Sequence, residues 1–273
     1  MAINTDNVKL VFGLKLKQLR LDNLKQYKAG LQYGIRWKID STKFSTMDFK
    51  GYEGSYKPSD ISGKPRLYYD RNKPFTRKIK LFMTAVPIGY ITIPKYYVVP
   101  QSQYRVIEEL KRNKIGMTAL KKDSTAMVES YKIKDFKTVK NPYEGHYLHY
   151  DTSVETAKRS QTFLAGDYVI PTDQPGVKYL VETLEPEALD SFFNWNFFDG
   201  VLAQKEYYSA YIFEDTAAEL LKTDKKLKAA FDAKKSSDKK FADDGTAQLD
   251  WIYRNSPYFE EKTFRQYPVY RIL

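Results

Sequence analysis

LVETLEPEALDSFFNWNFFDGVLAQKEYYSAYIFEDTAAELL, Leu180 to Leu221, is the stretch around which the rest of the chain is read. Five large rings, Phe192, Phe193, Trp195, Phe197 and Phe198, fall within seven residues. Each aromatic side chain buries on the order of 150–250 Å² when covered, so they cannot all face water cheaply and are expected to form structural core. The run Val177–Leu184 before them reads as a strand, turning at Glu185-Pro186. Proline costs nothing at a first helical position, and Glu185, Glu187 and Asp190 suit the positive end of a helix dipole. Helices are therefore expected over about 186–222, with a break near Gly200.

The chain has 273 residues, 42% of them hydrophobic and 15% aromatic, which describes a folded protein with a large core. Its 23 tyrosines suit half-buried strands and flat recognition surfaces alike. The absence of cysteine removes disulfides, thiol catalysis and thiolate metal sites together. The formal charge of +11 permits an anionic partner. The densest run, Lys222–Lys240, has eight lysines, three aspartates and no arginine, which is the composition of a solvated helix face and weighs against a nucleic-acid contact. No apolar run approaches the ~20 residues of a membrane span, and the N-terminus lacks the order of a signal peptide.

Residues 8–28 carry apolar positions spaced by three and four and predict an amphipathic helix closed by Gly30. From residue 31 the pattern becomes alternating, with turns at Lys57-Pro58-Ser59-Asp60 and Ser62-Gly63-Lys64-Pro65. Ser102 is a candidate cap for a helix through Lys111 with Val106, Ile107 and Leu110 inward, and no glycine-rich loop precedes it. Ala165-Gly166-Asp167 reads as a hairpin turn, and Tyr267-Pro268-Val269-Tyr270 as an edge strand. The expected fold is α+β: an antiparallel, β-rich N-terminal half, then β-sheet packed against an aromatic-rich helical segment. The expected organisation is a helical lead-in over 1–30, a β-rich domain over 31–95, and an α+β domain over 96–273.

Candidate chemistry is sparse. His146 and His149 lie in YEGHYLHYD, where a strand would point residues three apart to opposite faces. Partly exposed structural histidines are expected there rather than a metal site, because no HExxH or HxxE accompanies them. Asp199 and Glu206, seven apart, are the one candidate acid pair, and a solvated face explains them as well. No serine has a GxSxG setting. Independent catalysis is therefore not expected. A tyrosine-rich binding surface is a separate reading, with Tyr143, His146, Tyr147, His149, Tyr150 and Trp251 as its candidate residues.

Several phrases resemble the C-terminal region of a group of large bacterial zinc carboxypeptidases related to carboxypeptidase A. They are Phe49–Phe75 (FKGYEGSYKPSDISGKPRLYYDRNKPF), Ile93–Leu110, Val128–Lys137 (VESYKIKDFK), Gly166–Asp199 and the closing PVYRI. The likeness runs from about residue 31 to the end. In that group this region follows the catalytic domain and carries no zinc ligand. The family's His-x-x-Glu pair, later histidine and glutamate base have no counterpart here, so no catalytic residue carries over. The resemblance implies a non-catalytic accessory region, with zinc expected only in an absent catalytic domain, and a peptidase domain of a longer protein as partner. It also implies a periplasmic or secreted setting, while the lack of an export signal leaves the cytoplasm open. The alternative is a free-standing module that binds glycan or cell-wall peptide. Oligomeric state is not legible from these residues.

Overall fold

The structure is a computed structural model that describes the backbone of residues 5–204, 207–259 and 263–273, with side chains from residue 14 onward. Helix α1 (Thr5–Gln26) leads into strands β1 (Gln32–Ile39), β2 (Ser45–Pro58), β3 (Pro65–Leu81), β4 (Ala85–Thr92) and β5 (Tyr96–Val99). Helix α2 (Tyr104–Arg112) precedes β6 (Thr118–Ala119), β7 (Ser124–Thr138), β8 (His149–Phe163) and β9 (Tyr168–Pro171). Helices α3 (Val177–Leu184), α4 (Ala210–Thr223), α5 (Lys225–Ser237), α6 (Lys239–Ala242) and α7 (Gly245–Arg254) follow, and β10 (Gln266–Ile272) closes the chain. This is an α+β protein with antiparallel sheets and a strand-rich N-terminal half. Its chain divides into two compact units, residues 32–91 and residues 1–31 with 92–273.

In the smaller unit β1 pairs with β4, and β2 and β3 form a long antiparallel ribbon from Ser45 opposite Leu81 to Pro58 opposite Pro65. The proline, serine and glycine signals that bracket residues 58–65 set that turn. A bulge between Tyr52 and Glu53 breaks the register once.

The larger unit is built on one six-stranded sheet in the order β6-β9-β5-β10-β7-β8. The final strand, expected at an edge, is one of the two central strands, between β5 and β7. Pro268 is tolerated there because the β10–β7 register shifts between Gln266 and Tyr270, where a missing N–H breaks no regular rung. The Ala165–Asp167 turn forms, with Gly166 at φ +99°, but it is not a hairpin. It carries the chain from β8 at one edge across to β9, which pairs with β5 and β6.

Two further expectations are corrected in the 177–222 region. Val177–Leu184 is a helix: Val177, Leu180, Val181 and Leu184 are buried at a 3–4 spacing that outweighs their β-branched content. Residues 186–198 are compact turns with a short 3₁₀ helix at Asp199–Val201, and the helix expected from 186 begins only at Ala210. Rings on every side of a helix would leave some in water, whereas turns aim Phe192, Phe193 and Phe198 into one core. Polar side chains supply the bonds a helix would have made. Ser191 Oγ donates to the Pro186 carbonyl (3.1 Å), and Asn194 Nδ2 donates to the Ala188 carbonyl (2.9 Å). The α2 core face is as expected, but Gln103, not Ser102, stands at its N-cap and makes no side-chain cap bond.

The lysine run folds as α5 and α6, with Leu227, Phe231 and Phe241 packed inward. Asp224, Asp238 and Asp244 cap α5, α6 and α7 through their carboxylates.

Beneath the centre of the large sheet is a buried ion pair. Arg271 on β10 and Glu185 at the end of α3 have side chains 5% and 1% exposed, with Nε 3.1 Å from Oε1. Arg271 also bonds the Glu129 carboxylate, the Tyr131 hydroxyl and the Thr92 carbonyl. Tyr97 donates to Glu185 Oε1 at 2.6 Å, and Tyr267 donates to the Leu184 carbonyl at 2.9 Å. Glu185 was expected at a helix start, where the dipole would stabilise it. It stands instead at the C-cap of α3, where Arg271 must hold its charge. Burial pushes the carboxyl above its ordinary range, against the pull of Arg271 and the Tyr97 hydrogen bond.

Removing one partner of such a pair strands a buried charge, at a cost of about 3–5 kcal/mol. Arg271→Met should lose that much stability in urea unfolding, and Arg271→Met with Glu185→Leu should recover part of it. In the single variant the raised carboxyl is penalised when ionised, so the deficit should shrink as pH falls through its folded pKa.

Candidate functional site

Two surfaces of the larger unit expose apolar side chains whose burial would be expected from their type. On α1, Leu14, Leu16, Leu19 and Leu21 are 60, 51, 59 and 38% exposed. The helix is there but is not amphipathic as expected: Leu14 and Leu21 fall on the side opposite Leu16 and Leu19, and these leucines do not serve the chain's own core. Arg20 Nη2 ties α1 to the Asn113 carbonyl at 2.9 Å. Leu16 and Leu19 face an open cleft of about 410 Å³, completed by Pro175, Tyr179 and Glu182. A group of apolar side chains left in water along one helix is the usual mark of an interaction surface.

The second surface is built where β7 ends, β8 begins and the aromatic turns cross them. Tyr143, Tyr147 and Tyr150 are 57, 53 and 44% exposed. His146, half-buried, lies in a turn closed by the Tyr143–His146 bridge rather than in a strand. Its ring stacks parallel to Phe197 (centroids 6.4 Å) and meets Trp195 edge-on (5.5 Å), while Tyr143 tilts against Trp195 at 6.3 Å. The two histidines have different fates. His149 is buried, held between Phe136 (4.6 Å) and Phe193 (5.1 Å), not partly exposed as expected.

Both ring nitrogens of His149 are occupied. Thr138 Oγ1 lies 2.9 Å from Nδ1 and Asp199 Oδ1 lies 3.1 Å from Nε2. Asn196 Nδ2 also lies 3.3 Å from Nε2. Asn196 Nδ2 donates to the Tyr147 carbonyl at 2.8 Å and fastens the same corner. The arrangement works as a polar clamp between sheet and turns. Asp199 belongs to this clamp, whereas Glu206, its expected partner, lies outside the described residues. Trp251 is elsewhere, packed against Phe231 (5.8 Å) and Phe241 (6.4 Å) among the C-terminal helices.

The backbone here is unusual. Of five described non-glycine residues with positive φ, three lie in this corner: Glu144 (+50°), Asp151 (+52°) and Asn196 (+64°). Such conformations cost of order 1–3 kcal/mol each and tend to gather at recognition and catalytic surfaces. Phe136, Trp195, Asn196 and Phe197 belong to the site although sequence reasoning did not assign them to it. The signal available was an asparagine, the residue most tolerant of left-handed backbone, set between rings. Among the described residues no group of three or more His, Asp or Glu side chains could hold a metal ion.

Comparison with protein-family models, with curated proteins and with solved structures finds no match for the chain.

Asn196→Ala and Asn196→Gly remove the same side-chain bonds and differ in the cost of φ +64°. The alanine variant should unfold about 1 kcal/mol more easily than the glycine variant. Equal stabilities in chemical denaturation would mean that the left-handed backbone carries no strain.

Proposed function

We propose that this chain is a non-catalytic accessory region that supports a peptidase domain, as the resemblance to zinc carboxypeptidase C-terminal regions implies. The observation that carries this reading is on α1: four described leucines of one helix stand in solvent, and two of them, Leu16 and Leu19, line an apolar cleft. A fully exposed leucine contributes about 1.5–3 kcal/mol when covered, so a partner seated on the half-exposed Leu16 and Leu19 gains part of its docking energy there. In this role the helix joins the accessory region to its catalytic partner, the large sheet gives it a rigid base, and any zinc belongs to the partner. The setting is the cell envelope or the medium outside it.

A second reading rests on a different observation. Tyr143, Tyr147 and Tyr150 stand exposed next to the His146–Trp195–Phe197 stack. Rings of this kind hold sugar faces or peptide side chains by stacking, with tyrosine hydroxyls free to bond. It makes the chain a binding module for glycan or cell-wall peptide, and it is compatible with an accessory role.

The docking proposal is tested by mixing the chain with a resembling zinc carboxypeptidase catalytic domain from which its own C-terminal region has been removed. Sedimentation should show a complex, and Leu16→Glu with Leu19→Glu should weaken it by more than about tenfold, since two buried leucines are lost. If wild-type chain and catalytic domain sediment separately, docking is wrong. Turnover of C-terminal peptide substrates by the chain alone, with zinc supplied, would contradict the non-catalytic part of the proposal.

A further inference from the structure

The smaller unit holds twelve lysines and arginines against five aspartates and glutamates, so residues 32–91 account for +7 of the chain's +11. Its β2–β3 ribbon is solvent-exposed along most of both strands. Long two-stranded ribbons are marginal in water by themselves, so the way this one ends bears on what it meets.

The end of the ribbon is a fixed turn. Ser59 N–H donates to the Lys64 carbonyl (2.9 Å), and Gly63 N–H donates to the Ser59 carbonyl (2.8 Å). Ser59 Oγ accepts from the amides of Ile61 and Ser62, both at 3.2 Å, and Gly63 takes the φ of +67° that closes the turn. At its apex this turn presents Ile61, which is 100% exposed. An apolar side chain held entirely in water by an ordered turn has no role in the chain's own core.

Behind the apex the register sets Lys57 directly opposite Arg66, and Tyr56 opposite Leu67 on the next rung. Like charges opposed across a ribbon are destabilising unless an anion lies between them. Neither is paired with a carboxylate among the described residues, nor is Lys64; Lys57 rests 4.5 Å over the Tyr68 ring. Tyr56 and Tyr69 are 73 and 58% exposed on the same part of the ribbon. Asp60 is the one acid in the turn, against three cations.

We propose that the tip of the β2–β3 ribbon docks on an anionic lipid surface. Ile61 enters the boundary between headgroups and acyl chains, Lys57, Lys64 and Arg66 meet lipid phosphates, and the tyrosines lie in the headgroup layer. A nucleic-acid strand would use the cations and rings but would leave Ile61 in water, so the apex favours lipid. No described helix is long and apolar enough to cross a membrane. The proposal does not depend on the docking of α1, and Leu16→Glu with Leu19→Glu should leave it unchanged.

The test is co-flotation of the full chain with vesicles of phosphatidylcholine alone or with phosphatidylglycerol added, at low and high salt. The chain should float with the anionic vesicles at low salt and stay behind with neutral ones. Each cation near a charged surface changes partition by about fivefold, so Lys57→Gln with Arg66→Gln should weaken binding more than tenfold. Ile61→Ser should weaken it about fivefold or more while leaving the salt dependence unchanged. All three positions are solvent-exposed, and circular dichroism checks that the variants remain folded. No flotation, equal flotation with neutral vesicles, or indifference to Ile61→Ser would overturn the proposal. So would binding of a short oligothymidylate that Lys57→Gln with Arg66→Gln abolishes and Ile61→Ser does not, which would assign the tip to nucleic acid.

Discussion

The contact between Arg271 and Glu185 constrains the larger unit more than any other. One partner lies two residues from the last and the other ends α3, so their meeting requires the last strand to enter the middle of the sheet. Two charges this deeply buried are tolerated only when each is bonded on several sides. Glu129, Tyr131 and the Thr92 carbonyl bond Arg271 from β7 and the end of β4, and Tyr97 on β5 bonds Glu185 Oε1, while Glu185 Oε2 is left buried without a hydrogen-bond partner. Five elements of the chain are thereby brought to one point. The same point fixes where α3 stops, and therefore where the aromatic turns begin.

From those turns the surface features follow. Phe193 and Phe198 pack beneath the sheet against Tyr267, with centroids 6.4 and 5.0 Å from it. Trp195 and Phe197, one or two residues from the buried rings, are left half-covered and become the floor of the His146 stack. The His149 clamp then locks the turns to β7 and β8. Scaffolding and candidate recognition surface are thus made from one aromatic run, divided by the side on which each ring emerges.

The fold class was legible because its signals are local. Proline, serine and glycine mark the turn at the ribbon's tip, and alternation marks the strands. What misled was information held in tertiary contacts. Val177–Leu184 is rich in residues that suit strands, and its helical spacing of buried positions emerges only once Val177 and Leu184 are counted together. Pro268 argues for an edge until the bulge beside it is seen. Glu185 looked like a dipole partner because its true partner is 86 residues away. The site was half legible: Tyr143, His146, Tyr147, His149 and Tyr150 do share one corner, but Trp251 does not, since sequence carries no measure of distance between a hairpin and a helix.

If the buried pair and the aromatic turns form one cooperative element, they should open together. Native-state hydrogen exchange on the intact chain, read by mass spectrometry, measures this directly. The amides of β5, β7 and β10 and those of residues 186–198 should exchange last, with a common free energy close to that of global unfolding. Rapid exchange of residues 186–198 while the strands remain protected would contradict the account, because the turns would then be a loose covering rather than part of the frame.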